Sequence, residues 1–175
     1  MTEFIKDREI YERVISDLIP KTKKFLWLAT SDIKDLYIDK HTKMVPFLEL
    51  LSDLVKKRIE IRLLHAKEPG PAFREDFDRY PNLINGIERI LCPRNHVKSV
   101  VIDGTFAYTG SANLTGAGMG AKNKDKRNFE SGIITNEETI VEQIMKQFDD
   151  IFRGSHCPEC KRKKYCSDYK DLLLK

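Results

Sequence analysis

Long apolar runs are missing from this 175-residue sequence, in which 33% of residues are charged and 41% hydrophobic. A helix that spans a bilayer needs roughly 20 consecutive apolar residues, so no membrane-spanning helix is expected. The hydrophobic share is equally too high for a disordered chain. The opening residues, MTEFIKDREIYER, carry charges where a secretory leader has its apolar core. No leader is read there, and the cytoplasm is the expected compartment. Charge of a single sign is scarce: the net charge is +4 and the pI near 8.8. Cysteine is scarce as well, with four residues, and a reducing compartment argues against a disulfide framework.

What is present is concentrated in residues 96–113, HVKSVVIDGTFAYTGSAN, which spell H-x-K-x4-D-x6-G-S-x-N. The motif residues are His96, Lys98, Asp103, Gly110, Ser111 and Asn113. They supply a nucleophile or general acid, a cation, a carboxylate and two neutral hydrogen-bonding side chains, the groups needed to handle a phosphate ester. Asp103-Gly104 lies between two β-branched, apolar runs, a strong hairpin signal because glycine accepts the positive φ of a tight primed turn. A two-residue loop would pair Ile102 with Thr105, Lys98 with Thr109 and His96 with Ser111. His96, Lys98, Ser111 and Asn113 would then share one face, with opposed Cβ atoms about 5 Å apart. Asp103 reads either as a turn residue or as part of that site.

These residues resemble the HKD motif of the phospholipase D superfamily followed by its G-S-x-N element. The segment NFESGIIT that follows contains Glu130, which matches by position the acidic residue that hydrogen-bonds the catalytic histidine in that family. The resemblance covers roughly residues 20–152. It implies an α/β phospholipase D-like sandwich, with a mixed β-sheet flanked by helices. It also implies metal-independent cleavage of a phosphodiester through a phosphohistidine, with no cofactor for catalysis. His96, Lys98, Asp103, Ser111, Asn113 and Glu130 are its catalytic residues, with Asp103 orienting Lys98 or the hairpin rather than carrying a proton.

Double-length members of the superfamily build one active site from two motifs. Here His41-Thr42-Lys43 and His65-Ala66-Lys67 repeat H-x-K, but Leu48 and Ala72 stand where the aspartate belongs, and neither is followed by G-S-x-N. A single copy implies an isologous homodimer with a shared reaction centre, as in the small bacterial endonucleases of the superfamily. The resemblance therefore points to a nuclease with nucleic acid, DNA or RNA, as its partner. The alternatives are a phospholipid hydrolase or phosphatidyl transferase, and a nucleic-acid-binding module without turnover. No amphipathic membrane helix is found, so no stable membrane association is expected.

Elsewhere helix and strand patterns alternate, which indicates an α/β sandwich. Helices are predicted over 6–18, 41–57 and 137–152, the last with Asn136 as N-cap. KFLWLAT, EIRLLHA, RILCP and NFESGIIT read as strands, and residues 70–86 as loop and short helix. Two regions are candidates for substrate contact. One is the basic loop KNKDKR at 122–127, with Lys122, Lys124, Lys126 and Arg127; the other is His65 and Lys67 at a strand exit.

The chain divides into a catalytic domain over 1–154 and a Cys-rich tail over 155–175. The tail segment HCPECKRKKYC places Cys157, Cys160 and Cys166 at metal-knuckle spacing, with His156 or Cys92 as fourth ligand. Structural zinc is the leading expectation, with an iron–sulfur cluster or free thiols as alternatives.

Overall fold

The computed structural model describes residues 1–34, 36–40 and 43–169. Strand β1 (Thr2–Lys6) leads into α1 (Arg8–Ile10), which continues with wider π-type bonding over Tyr11–Leu18 and closes in a 3-10 turn, Ile19–Lys21. Pro20 is among the first positions of that 3-10 turn, whose own bonds do not use its missing amide. Ile10, Val14, Ile15 and Ile19 form the buried stripe of this segment. β2 (Phe25–Thr30) follows, then a small hairpin of β3 (Tyr37–Lys40) and β4 (Lys43–Pro46). The predicted helix over 41–57 is confined to α2 (Phe47–Lys56), because the hairpin takes its first residues; His41 and Thr42 lie outside the described residues.

β5 (Glu60–His65), α3 (Pro71–Asp78), α4 (Asn82–Gly86) and β6 (Ile87–Leu91) come next. β7 (Ser99–Ile102) and β8 (Phe106–Gly110) form the motif hairpin, and β9 (Ser131–Thr135) and α5 (Glu138–Phe152) complete the main body. Seven strands make one mixed sheet in the order β1-β9-β8-β7-β2-β5-β6. β2, β5 and β6 run parallel; β7, β8, β9 and β1 are antiparallel to their neighbours.

The α1 segment and α2 cover one face of the sheet, where Ile15, Leu26, Leu28, Leu51, Ile61 and Val100 pack in the larger core. α5 covers the other, with Val141 against Val101 and Ala107, and Phe148 and Phe152 against Ala29 and Leu64. Glu137, not Asn136, is the N-cap of α5; the Asn136 side chain accepts a bond from the Met1 amino group instead. Among the described residues no helix is long and apolar enough to cross a membrane.

Candidate active site

The Asp-Gly turn forms, but the strands beyond it pair differently from the sequence expectation. Asp103 and Gly104 have φ of 56° and 68°, and the Thr105 amide donates to the Ile102 carbonyl at 3.0 Å. The ladder then resumes with Phe106 opposite Ile102, so Thr105 is an extra residue and Ser99, not Lys98, faces Thr109. Lys98 instead lies level with Gly110, whose amide donates to the Lys98 carbonyl at 3.2 Å. Gly110 in turn faces Gly132 on β9.

Those two glycines explain the Gly of G-S-x-N. A Cβ at Gly110 would lie 2.4 Å from the Ser131 carbonyl oxygen and 2.5 Å from the Tyr108 Oη; one at Gly132 would lie 2.5 Å from the Tyr108 ring. Tyr108 is fully buried below them, and burial pushes its hydroxyl up to about 12. The two strands and the Tyr108 side chain pack this closely only because neither position carries a side chain.

His96 is exposed just ahead of β7, and Lys98 is buried. The Lys98 ammonium lies 2.9 Å from His96 Nδ1 and 3.2 Å from Nε2, and donates to the His96 carbonyl at 2.9 Å. The ammonium thus sits within reach of both ring nitrogens and holds the imidazole in place. Burial lowers the pKa of Lys98, partly offset by the nearby Glu130 carboxylate.

Glu130 does not bond His96, contrary to the expectation from the motif. Its carboxylate takes the Ser111 hydroxyl and, at 3.1 Å, the Asn128 Nδ2. Ser111 is fastened to β9 as well, since its Oγ accepts the Ser131 amide at 3.1 Å. Asp7, at the start of α1, fixes the backbone of Glu130 from the other side. Beside Glu130, Phe129 stands 98% exposed.

Asn113 is oriented by the exit of β2. Its Oδ1 accepts the amides of Ser31 and Asp32 at 3.1 and 3.3 Å, and the Thr30 hydroxyl at 3.3 Å. That leaves Nδ2 as the end of the amide free to donate outward. Thr30 is the common anchor: its Oγ1 also accepts the Leu114 amide at 2.9 Å, and its carbonyl accepts Asn95 Nδ2 at 2.9 Å. Buried Asn95 then takes the Val97 amide through Oδ1 at 3.2 Å, which sets the bend that presents His96. Asp7, Thr30 and Asn95 were not found from the sequence; the only signal was a polar Thr-Ser at the end of a buried strand and an Asn next to the motif histidine.

Three groups of predicted residues fall elsewhere or only partly at the site. The Asp103 carboxylate, at the opposite end of β7 from Lys98, accepts the amides of Lys23, Lys24 and Phe25 at 2.9, 2.7 and 3.0 Å. It ties the hairpin turn to the start of β2 and does not orient Lys98. His65 is 0% exposed, with Nδ1 bonded to the Lys67 carbonyl at 2.8 Å, so it is closed to substrate. Lys67 does reach the rim, 3.3 Å from Asp32.

Lys122, Lys124 and Lys126 are exposed and Arg127 half-exposed, in a loop held by buried Met119 and by Arg8 bonds to the carbonyls of Gly120 and Ala121. In the tail, Cys157, Cys160 and Cys166 line one cavity together with Cys92 and His156. As placed, no three His, Cys, Asp or Glu side chains among the described residues surround a point closely enough to hold a metal ion.

Comparison with known proteins gives the family and the fold. The family described as cardiolipin synthase, PLD-like domain, matches residues 15–152. No curated protein matches the chain. The fold is similar to that of Nuc from Salmonella typhimurium, a phospholipase D family member, with TM-score 0.64 and 15% identity over 86% of this chain and 92% of that one. It is similar to NucT from Helicobacter pylori, with TM-score 0.63 and 13% identity over 87% and 97%. TrmBL2, an archaeal chromatin protein, matches with TM-score 0.58 and 10% identity over 87% and 52%. With the family matched over most of its length and the seven-stranded sheet in place, the chain belongs to the phospholipase D-like family of phosphodiesterase-type enzymes.

Proposed function

We propose that this chain is a metal-independent nuclease that cleaves nucleic acid through a phosphohistidine, in a reaction centre shared by two copies of the chain. The observation that carries this reading is the exposed His96 ring with the buried Lys98 ammonium beside it. A phosphate oxygen is a stronger acceptor than the ring, so a bound phosphodiester would draw Lys98 onto itself and free the imidazole to attack.

The second proton-transfer group must come from outside this chain's own site. Of the other described histidines, His65 is buried behind the site and His156 lies in the tail. A second copy related by a two-fold axis supplies the missing imidazole. One His96 attacks phosphorus; the P–O bond to the leaving group breaks, and the partner copy's imidazolium protonates that oxygen. The partner ring, now neutral, takes a proton from water, which attacks phosphorus and breaks the P–N bond. Lys98 and Asn113 Nδ2 from both copies hold the non-bridging oxygens, with Ser111 bound to Glu130 beside them.

A nucleic-acid substrate is supported by the exposed basic side chains of the 122–127 loop and by Phe129, a bare aromatic face on which a base can stack. TrmBL2, which shares the fold, is itself described as binding DNA. The test is turnover of DNA, RNA, phosphatidylglycerol and cardiolipin in excess EDTA, with wild type and His96→Ala. Nucleic acid should be cleaved despite the chelator, and His96→Ala should lose at least ~10³-fold in kcat while still binding. Faster turnover of the lipids would move the case to a phospholipid enzyme. Sedimentation equilibrium should give a dimer, and an active monomer would contradict the shared centre.

A further inference from the structure

Residues 155–169 of the tail have no buried side chain to hold them. They make short turns, including a 3-10 turn at Lys163–Tyr165, and most of their side chains are exposed. The half-buried exceptions are Cys157, Cys160, Cys166, Asp168 and Tyr169. An appendage without an apolar core needs another kind of staple to stay folded. The cysteines face a cavity of about 490 Å³, which Cys92 lines from the main body, just past the end of β6.

The local bonding is that of a thiolate knuckle. The Arg162 amide donates to Cys160 Sγ at 3.4 Å, two residues on. Cys166 donates from Sγ to the Leu91 carbonyl at 3.4 Å. Arg94 lines the same cavity and brings positive charge to it, which suits a tetrathiolate site whose net charge with a divalent ion would be about −2. The tail also covers the open edge of β6, where Asp168 accepts the Leu91 amide at 2.7 Å.

We infer that Cys92, Cys157, Cys160 and Cys166, which line one cavity but stand apart in it as placed, draw together on one zinc ion, and that this site staples the tail to the loop that presents His96. Cys92 is chosen over His156 because it brings in the main body: the Asn95 amide donates to the Cys92 carbonyl at 2.8 Å, and Asn95 sets the His96 bend. His156 is exposed and immediately precedes a ligand, so it cannot reach the same ion without distorting the knuckle. The site stands independently of the nuclease reading, because its readout is metal content.

The full chain, purified under reducing conditions, should carry one zinc by elemental analysis. Exchange for Co²⁺ should give thiolate-to-metal charge-transfer absorption of four-sulfur intensity. Cys92→Ser should weaken metal retention against a chromophoric chelator by at least ~10-fold, while His156→Ala leaves it unchanged. Hydrogen exchange over residues 92–97 should rise when the metal is lost. A chain that holds neither zinc nor Co²⁺ overturns the inference, as does visible absorption with acid-labile sulfide, which would mean an iron–sulfur cluster. Metal lost in His156→Ala and kept in Cys92→Ser overturns the ligand assignment. If Cys92→Ser does not fold, the Co²⁺ intensity of the unaltered chain still separates four sulfurs from three sulfurs and a nitrogen.

Discussion

Asp7 and Glu130 hold each other through reciprocal bonds: the Asp7 amide donates to the Glu130 carbonyl at 2.9 Å, and the Glu130 amide donates to Asp7 Oδ1 at 3.1 Å. Asp7 does this in a disfavoured conformation, φ 48° and ψ −118°, of the kind that costs about 1–3 kcal/mol for a non-glycine residue. The strain is sustained by the residue's task of fixing a carboxylate 123 positions away.

Asp7→Gly separates strain from function. Glycine relieves the backbone and removes the acceptor, so the melting temperature should change little. The kcat for phosphodiester cleavage should fall by ~10- to ~100-fold through misplacement of Glu130, with KM nearly unchanged. Asp7→Asn retains an acceptor oxygen and should recover most of the activity. Steady-state kinetics beside thermal melts decide it.

Asp103→Ala should behave in the opposite way. The carboxylate that takes three β2 amides is lost, at a cost of about 2–4 kcal/mol, since hydrogen bonds to charged groups contribute ~1.5–3 kcal/mol each and water replaces some of them. In a chain of this size that is a fall of roughly 4–16 °C in Tm. The kcat of the folded protein should stay within about threefold of wild type. A loss of activity without a loss of stability would return Asp103 to the catalytic set.

The alkaline limb of the pH–rate profile reports Lys98. The ammonium is the active form, and burial holds its pKa below the ordinary 10.5, so activity should begin to fall at a lower pH than an exposed lysine would impose. Glu130 favours the charged form. In Glu130→Gln the limb should therefore shift to still lower pH, whatever happens to the absolute rate. A limb that stays in place would show that Glu130 does not act on Lys98.

Buried His65 makes stability depend on pH. Desolvation lowers its pKa below 6.5, so between that lowered value and 6.5 the unfolded chain binds more protons than the folded one. Stability is complete above about pH 6.5 and is lost as the pH falls towards the folded-state value. Urea midpoints measured from pH 8 to pH 5 should decline over that interval, and His65→Gln should flatten the decline.

Much of this was legible from residues alone. The motif announced itself through residue types at fixed spacing, and the buried strands KFLWLAT and EIRLLHA through their apolar runs. The misreadings share a cause in contacts between distant segments. Thr105 and Phe106 are both good strand formers, so nothing local says which one resumes the ladder. Asp103 is a good turn residue by itself, and its second task appears only once the amides of Lys23, Lys24 and Phe25 arrive from β2. β1 escaped notice because TEFIK is short and charged, and it becomes a strand only by pairing with β9. His65 does sit at a strand exit, but its burial depends on the strands paired on either side of it, which come from elsewhere in the chain.

The pairing of β1 with β9 has a temporal side. Thr2 meets Thr135 and Lys6 meets Ser131, so β1 cannot dock until β9, far along the chain, has been synthesised. Until then Asp7 has no Glu130 backbone to hold, and a growing chain that already carries His96 and Lys98 still lacks a set Glu130. The site is thus completed in one late step of folding, by the strand that follows the motif hairpin.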